Sequence, residues 1–395
     1  MTGTTPRPDS QQPSQADSPD RRSVTPYEIH VPDSVLEETR ARLRATRWAD
    51  AVPGDPWRYG ASIPYLRDLI TYWTDEYDWR KAEHRLNSFP NFVTTVDGLD
   101  LHFWHVRGAK ANSIPLLLLH GWPGSVVEFL DLIGPLTDPA SHGAPEGASF
   151  DLIVPEIPGF GFGGKPSEPG WGVTRMAHAF DTLMHDVLGY DHYTIQGGDW
   201  GTLLGARAAR YHPDHVAALH INMPFTPPYG DHIPSPEWQA HFQQLTGYLH
   251  VQSLIPDAFT LGLADSPLGT AAWIIEKFAA WSDNDGDLDQ VFSKDTLLTN
   301  IQFYWATKSI VSATRIYREA ALEDEDLVGP PRIAVPTGVA VFPKEPYRVP
   351  RQWLDGVYTI EHWREFDSGG HFAPLERPDD LLHEIRTFLP THFGA

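Results

Sequence analysis

A sharp turn between a strand and a helix is the most specific feature of the sequence HYTIQGGDWGTLLGARAAR, residues 192–210. Such a turn needs small residues on both sides of its apex, because the apex residue is strained and the chain crowds around it. Gly197 and Gly201 supply them. Asp199 stands at the apex, where a carboxylate can attack saturated carbon without a base and form an alkyl ester. The alternative is an aspartate that only caps the following helix.

On both sides of this turn, short apolar runs alternate with helical patterns. Apolar strands separated by helices are typical of a parallel sheet that is covered on both faces. A hairpin that turns at Asp97-Gly98 precedes them. The predicted parallel strands are IPLLLLHG (114–121), FDLIVPEIPG (150–159), HYTIQGG (192–198), VAALHINMP (216–224) and PTGVAVFPKE (336–345). The sequence therefore predicts an α/β fold with a mostly parallel, doubly wound sheet.

Helical patterns interrupt this alternation, and a helical insertion between two strands of one sheet is typical of a cap domain. The first residues are rich in Pro, Ser and Gln, and they have too little apolar surface to compensate for the entropy of ordering. The predicted organisation is a disordered tail (1–24), a helical N-terminal region (25–93), a core in two segments (94–224 and 332–395) and a helical cap (225–331).

The strand, the apex nucleophile and the helix together form the nucleophile elbow of the α/β-hydrolase fold, which carries nucleophile, acid and histidine in this chain order. His371 follows two glycines in DSGGHFAPLERPDDL and is predicted to deprotonate a water molecule. Glu345 ends a predicted strand and is a candidate to orient that imidazole, and Asp367 and Glu361 compete with it. The sequence thus predicts a triad of Asp199, His371 and one of these carboxylates.

The motif HGWPGS (120–125) follows a predicted strand and opens a helix. In this fold, the backbone N–H of Trp122 and that of Trp200, directly after the nucleophile, would form an oxyanion hole. The alternative is a plain turn between a strand and a helix.

Composition excludes several classes of function. The chain has 52 acidic and 30 basic residues, a formal net charge of -22 and no cysteine. A nucleic-acid partner and an anionic membrane surface are therefore disfavoured, and thiolate chemistry is excluded. No apolar run is long enough for a transmembrane helix. We expect a soluble, cytoplasmic protein, and a homo-oligomer is compatible with the sequence.

Two further patterns resemble cofactor or metal sites. GFGFGG (159–164) has dinucleotide-binding spacing, but KPSEPGWG follows where a helix should begin. SDNDGDLD (282–289) is acidic, yet its glycine is misplaced for a calcium-binding loop. The prediction is that the protein uses no cofactor and no metal.

With these motifs, the chain resembles the microsomal-type epoxide hydrolases, the branch that includes the juvenile-hormone epoxide hydrolases. The resemblance runs from about Pro26 to the C-terminus and rests on HGWPGS, GGDWG, FPKE and GGHFAP. It implies that Asp199 is the nucleophile and Glu345 the acid of the triad. Membrane-bound relatives begin with an anchor helix, whereas a polar tail occupies that position here, so no membrane anchor is expected.

The resemblance also implies two cap tyrosines that donate hydrogen bonds to the epoxide oxygen. A phenol suits this role because its pKa near 10 keeps it protonated at neutral pH. The family pattern places them at Tyr248 and Tyr317. Tyr304 competes with Tyr317, but the two would face different ways on one straight helix. The alternative for both is that they only pack within the cap.

The resulting hypothesis is hydrolysis of an apolar epoxide, with water as co-substrate, to a vicinal diol. A haloalkane dehalogenase, which also uses a carboxylate nucleophile, is one alternative; a candidate tyrosine pair in the cap argues against it. A catalytically silent ligand binder of the same fold is the other, and such proteins generally lack a triad member.

Overall fold

A computed structural model gives the fold of residues 23–228, 231, 233–323 and 332–394. The predicted disordered tail, residues 1–24, lies outside the described residues except for its last two positions. The strands of the described chain are β1 (Thr25–Pro26), β2 (Asn91–Val96), β3 (Leu99–Val106), β4 (Ile114–Leu119), β5 (Phe150–Pro155), β6 (Tyr193–Gly197), β7 (Val216–Ile221), β8 (Ile333–Val341) and β9 (Tyr358–Glu365).

These strands form one sheet in the order β1-β2-β3-β5-β4-β6-β7-β8-β9. The first three strands run antiparallel, and β3 pairs antiparallel with β5. From β5 to β9 every pairing is parallel. The hairpin between β2 and β3 turns at Asp97 and Gly98, which both have positive φ (50° and 77°), as a tight hairpin turn requires. The sheet is mostly parallel, as the sequence predicts.

Helices cover this sheet and build the cap. They are α1 (Asp33–Arg44), α2 (Ile63–Asp75), α3 (Trp79–Asn87), α4 (Leu130–Thr137), α5 (Val173–Thr182), α6 (Trp200–Tyr211), α7 (Pro236–Leu245), α8 (Gly247–Leu254), α9 (Pro256–Ala264), α10 (Pro267–Trp281), α11 (Lys294–Ala306), α12 (Ser309–Leu322), α13 (Arg351–Leu354), α14 (Ala373–Glu376) and α15 (Pro378–His392). Within the described ranges, none of them combines the length and the apolar character needed to cross a membrane.

The helices of the core lie in two layers. α5 and α6 pack against each other, and α6 packs on β4, β6 and β7. α4 and α15 also pack against each other, α4 on β5 and α15 on β7 and β8. Every residue of β4 and β5 is buried between these layers, which explains why these strands read as continuous apolar runs.

The six helices α7 to α12 lie between β7 and β8, where the sequence predicts a cap, and α1 to α3 pack against α10 and α11. The indole N–H of Trp305 donates to Thr39 Oγ1 at 2.8 Å, and the hydroxyls of Tyr77 and Thr299 are 3.0 Å apart. The N-terminal helices therefore brace the cap. The exact domain boundaries stay a prediction.

Candidate active site

Asp199 lies between β6 and α6 with a positive φ of 51°, which residues other than glycine rarely adopt. The flanking glycines leave no room for a side chain. A Cβ on Gly197 would lie 2.3 Å from the Gly201 carbonyl oxygen, and one on Gly201 would lie 2.1 Å from the Leu119 carbonyl oxygen. The Asp199 side chain makes no capping hydrogen bond to α6. Its carboxylate is therefore not committed to the helix.

His371 and Glu345 converge on this carboxylate from the ends of two neighbouring strands. Glu345 follows β8 and His371 follows β9, and Glu345 Oε2 lies 2.8 Å from His371 Nδ1. The other ring nitrogen, Nε2, is 3.5 Å from Asp199 Oδ2. The His371 backbone N–H donates to the Trp281 carbonyl oxygen at 2.9 Å, which ties its loop to α10. The competing carboxylates Asp367 and Glu361 are exposed.

The HGWPGS loop contacts the Asp199 carboxylate on its other side. The backbone N–H of Trp122 donates to Asp199 Oδ1 at 2.7 Å. A Cβ on Gly121 would lie 2.1 Å from the same oxygen, so only glycine allows this approach. Trp200 is the first residue of α6, and N–H groups in a first helical turn have no partner within the helix and favour a negative charge. The loop thus does more than connect a strand to a helix.

Tyr248 on α8 and Tyr317 on α12 line the same cavity as Asp199 from the side of the cap. Both are buried, at 6% and 3% exposure, and their ring centroids are 5.9 Å apart. The Trp122 ring stacks on Tyr248 at 5.3 Å, and the Trp200 ring meets Tyr317 edge-on at 4.7 Å. Among the described residues, the Tyr317 hydroxyl has no hydrogen-bond partner of normal geometry. In contrast, the hydroxyl of Tyr304 donates to the Gly124 carbonyl oxygen.

Two cavities lie next to the Asp199 carboxylate. The larger, of about 100 Å³, lies between core and cap. It is lined by Asp199, Trp200, Leu203, Met223, Phe225, Phe242, Tyr248, Leu249, Tyr317 and Tyr347. The smaller, of about 10 Å³, is lined by Asp199, Glu128, Asn222, His371 and residues next to them. That is about the room that one water molecule needs.

Comparison with known sequences places the chain in a family. Residues 24–129 match the family described as "Epoxide hydrolase N terminus", and residues 114–249 match the family described as "alpha/beta hydrolase fold". Epoxide hydrolase 1 of Oryctolagus cuniculus is 36% identical over 408 residues, which cover 93% of this chain and 89% of that protein. The chain belongs to the epoxide hydrolase family. It is therefore an enzyme of the hydrolase class, and the resemblance seen in its motifs is confirmed.

Solved structures of epoxide hydrolases share the whole architecture. The crystal structure of juvenile hormone epoxide hydrolase from the silkworm Bombyx mori matches with a TM-score of 0.84 at 30% identity, covering 94% of this chain and 95% of that one. The structure of Aspergillus niger epoxide hydrolase matches with a TM-score of 0.82 at 30% identity, covering 94% and 97% of the two chains. The predicted α/β-hydrolase fold is confirmed.

Charges in this epoxide hydrolase site are tightly coupled. Burial by itself would lower the pKa of the His371 imidazole, but the carboxylates of Glu345 and Asp199 outweigh burial and hold that pKa well above its ordinary value. Burial raises the pKa of the Tyr248 and Tyr317 hydroxyls well above the usual value of a phenol. The surroundings therefore favour the protonated form of the imidazole and the neutral form of both phenols.

Tyr347 belongs to this epoxide hydrolase site, although sequence reasoning missed it. Its hydroxyl donates to the Tyr248 hydroxyl at 2.8 Å, and its backbone N–H donates to Glu345 Oε1 at 3.0 Å. Tyr347 thereby connects the cap phenol to the acid of the predicted triad. The available signal was its place two residues after Glu345 in FPKEPY.

Glu128 is the second residue that sequence reasoning missed. It is only 8% exposed, and burial raises its pKa to about 8, so its carboxyl group is mostly neutral at pH 7. Ser125 and Glu128 have the spacing of a capping box, a pattern that indicates the start of a helix. The sequence therefore gave no reason to assign Glu128 a second role. In the structure the Glu128 carboxyl group contacts the Ser125 backbone and also lines the small cavity beside Asp199 and His371.

Proposed function

We propose that this protein hydrolyses an apolar epoxide to a vicinal diol through a covalent ester on Asp199. One observation carries the proposal: the Asp199 carboxylate lies between the Trp122 N–H and the His371 imidazole on one side and a cavity with two buried cap phenols on the other. A nucleophile opposite neutral acids is what opening of a strained ether requires. The apolar lining of that cavity favours an apolar substrate.

In the first step, Asp199 Oδ2 attacks an epoxide carbon while Oδ1 stays on the Trp122 N–H. The carbon–oxygen bond of the ring breaks, and the departing oxygen takes a proton from Tyr317 or Tyr248. Within the described ranges the Tyr317 hydroxyl makes no hydrogen bond of normal geometry, whereas the Tyr248 hydroxyl accepts from Tyr347. That bond stabilises a phenolate on Tyr248. The product of this step is a hydroxyalkyl ester of Asp199.

In the second step, water attacks the carboxyl carbon of the ester. The small cavity lined by Glu128 and His371 has room for this water on the core side of Asp199. His371 removes its proton, Glu345 stabilises the imidazolium, and the N–H groups of Trp122 and Trp200 hold the oxyanion. The bond between the carboxyl carbon and the diol oxygen then breaks. Of the two protons of the water, one passes from His371 to that diol oxygen and the other returns to the phenolate. The diol leaves, and Asp199 keeps the oxygen atom of the water.

The charge of Asp199 gives the two steps their order. In the free enzyme this carboxylate helps to keep His371 protonated. Esterification removes that negative charge, so the pKa of His371 falls and the imidazole can accept a proton from water. The histidine therefore becomes a base only after the ester has formed.

The His371→Gln variant separates the two steps. We expect this variant to form the ester and not to release it, because Gln cannot act as a base. Incubation with a terminal aryl epoxide should increase the intact mass by one epoxide, on the peptide that contains Asp199. Asp199→Ala is the matched control and should gain no mass.

Labelled water tests the same proposal without a variant. After one turnover of the wild type in H₂¹⁸O, the Asp199 peptide should carry ¹⁸O, because the water oxygen enters the carboxylate. Turnover with no label on Asp199 and with no adduct in His371→Gln would mean that water attacks the epoxide directly, and the proposal would be wrong.

A dehalogenase is the second candidate, and one observation favours it. The indole N–H of Trp122 is buried and has no hydrogen-bond partner among the described residues, and N–H donors are what a leaving halide needs. Halide release from a 1-chloroalkane with no diol formation from epoxides would support this candidate. Diol formation without halide release supports the epoxide hydrolase.

A further inference from the structure

Four histidines surround one buried aspartate on the core surface, away from the candidate active site. Asp181 is the second-last residue of α5 and is 6% exposed. Around it lie His178 on α5, His185 on the next turn, His212 directly after α6, and His215 before β7. The turn that carries His185, Leu183–Val187, is a π-helix, a rare geometry that is frequent at functional sites.

The spacing of the polar atoms fits ligands of one ion. Asp181 Oδ2 lies 3.0 Å from His212 Nδ1, and Asp181 Oδ1 lies 2.9 Å from His215 Nδ1. One ligand atom from each of the three residues lies within 4.8 Å of the others. Atoms bound to one zinc ion at about 2.0 to 2.2 Å are separated by roughly 3 to 3.5 Å, so only small side-chain movements are needed.

A second set of contacts supports these three residues in the way that outer partners support metal ligands. His178 Nδ1 lies 2.7 Å from His212 Nε2, the ring nitrogen that does not face Asp181. The Tyr193 hydroxyl donates to Asp181 Oδ1 at 2.9 Å. Metal-binding histidines almost always use the second ring nitrogen for such a hydrogen bond.

Two arrangements of this cluster differ in which ring nitrogen of a neutral His212 carries the proton. If His178 donates to His212 Nε2, then His212 Nδ1 carries the proton and donates to Asp181, and no ion is needed. If His212 Nε2 donates to His178, then His212 Nδ1 has a lone pair that faces a carboxylate 3.0 Å away. Two acceptors at that distance repel each other unless a second proton on His212 or a metal ion lies between them.

We propose that Asp181, His212 and His215 bind one late first-row divalent ion, with Zn²⁺ as the representative. Two imidazoles and a carboxylate suit Zn²⁺, Ni²⁺, Co²⁺ or Cu²⁺, whereas Mg²⁺ and Ca²⁺ prefer oxygen ligands. The two histidine side chains are 19% and 29% exposed, which leaves an open side for entry of the ion and for water ligands. The sequence predicted no metal, because Asp181 lies about thirty positions before the two histidines.

The ion would join α5 to the C-terminal end of α6 and to the turn before β7. Asp199 precedes the first residue of the same helix α6, and 12 residues of α-helix place the two ends about 18 Å apart. The ion is therefore too far from the substrate cavity to take part in chemistry. Its effect would be to stabilise the helix that begins at the nucleophile.

Isothermal titration of tag-free, chelator-treated protein with ZnCl₂ tests the proposal. We expect saturable binding of one ion by the wild type and no comparable heat with MgCl₂. The double variant His212→Gln/His215→Gln should lose this binding. His30→Gln/His383→Gln removes two exposed histidines elsewhere and should bind like the wild type.

Thermal unfolding gives a second readout that is independent of heat of binding. Zinc should raise the unfolding midpoint of the wild type and of the control variant by a few degrees, because it binds only the folded state, and it should leave the double variant unchanged. Asp181→Asn, which keeps the shape of the side chain, should weaken binding at least tenfold. Equal zinc binding by the wild type and the double variant, or no one-to-one binding by the wild type, would overturn the proposal.

Discussion

Tyr304 and Tyr317 are buried on consecutive cap helices, α11 and α12, yet their hydroxyls have different surroundings. The Tyr304 hydroxyl donates to the carbonyl oxygen of Gly124 and so holds the HGWPGS loop against the cap. The Tyr317 hydroxyl has no such partner in the described chain and lines the larger cavity. A buried donor without a partner is costly, and a substrate oxygen would satisfy it.

The two phenols should therefore respond differently to loss of the hydroxyl. We expect Tyr317→Phe to lower kcat/KM for an epoxide by roughly a hundredfold or more, the usual scale for a general acid, without loss of stability. Tyr304→Phe should lower the free energy of unfolding by about 1 kcal/mol with little change in kcat/KM. Steady-state kinetics and urea unfolding measure both. The reverse pattern would exclude Tyr317 as the acid.

Local sequence signals explain which site residues could be predicted. Asp199 and the HGWPGS loop lie in tight turns that require glycine, so their positions can be predicted from a few neighbouring residues. For Tyr347 and Glu128 the local signals, a place two residues after Glu345 and the spacing of a capping box, do not by themselves indicate a role in the site. Their place depends on how β8 and the HGWPGS loop meet the cap, which is set by packing over long sequence distances.

At the scale of elements, the N-terminal helices depend on one buried carboxylate. Glu83 on α3 is 8% exposed. It accepts hydrogen bonds from the backbone N–H of Val31 at 2.7 Å and from the indole of Trp79 at 2.9 Å, and it pairs with the Arg80 guanidinium. Glu83 thus holds the segment before α1 against α3. The helices α1 to α3 in turn pack against α10 and α11.

Removal of this carboxylate should loosen the brace. We expect Glu83→Ala to lower the free energy of unfolding by about 2 to 3 kcal/mol, because two buried donors lose their acceptor. Glu83→Gln keeps one acceptor oxygen and should lose less. Urea unfolding measures both, with Glu37→Ala on an exposed position of α1 as the control. A loss no larger than that of the control would show that the brace does not depend on Glu83.

The elements also show where sequence reasoning stops. The hairpin at Asp97-Gly98 and the buried strands β4 and β5 are readable because turn chemistry and continuous apolar runs are local. β9 (YTIEHWRE) was not predicted, because it lies at the edge of the sheet and most of its side chains are partly or fully exposed. Only its pairing with β8 makes it a strand.

At the scale of the molecule, buried titratable groups impose a pH dependence on folding. Burial raises the pKa of Glu128 to about 8 and that of Glu376 to about 7. Each then holds a proton in the folded state that it loses in the unfolded state, so stability falls as pH rises toward these values. His371, with a raised pKa, acts in the same direction. Buried histidines with lowered pKa, such as His120 at about 4, act in the opposite direction, but only below pH 6.5.

Between pH 6.5 and 8 the protein should therefore become less stable as pH rises. Glu128→Gln should remove up to about 1.4 kcal/mol per pH unit of this slope, since Gln has no proton to lose. Urea unfolding at several pH values measures the slope, and Glu37→Gln controls for loss of one exposed negative charge. Equal slopes in Glu128→Gln and the wild type would contradict the assigned pKa.

The cap leaves the core after β7 and returns at β8, and these two strands are neighbours in the sheet. The two ends of the insertion therefore start from adjacent points on one scaffold. Tyr248, Tyr317 and part of the apolar wall come from this insertion, whereas Asp199, Glu345 and His371 come from the scaffold. Mutations in the insertion can therefore change the wall of the cavity without touching Asp199, Glu345 or His371, which makes the cap the natural unit for recombination between relatives.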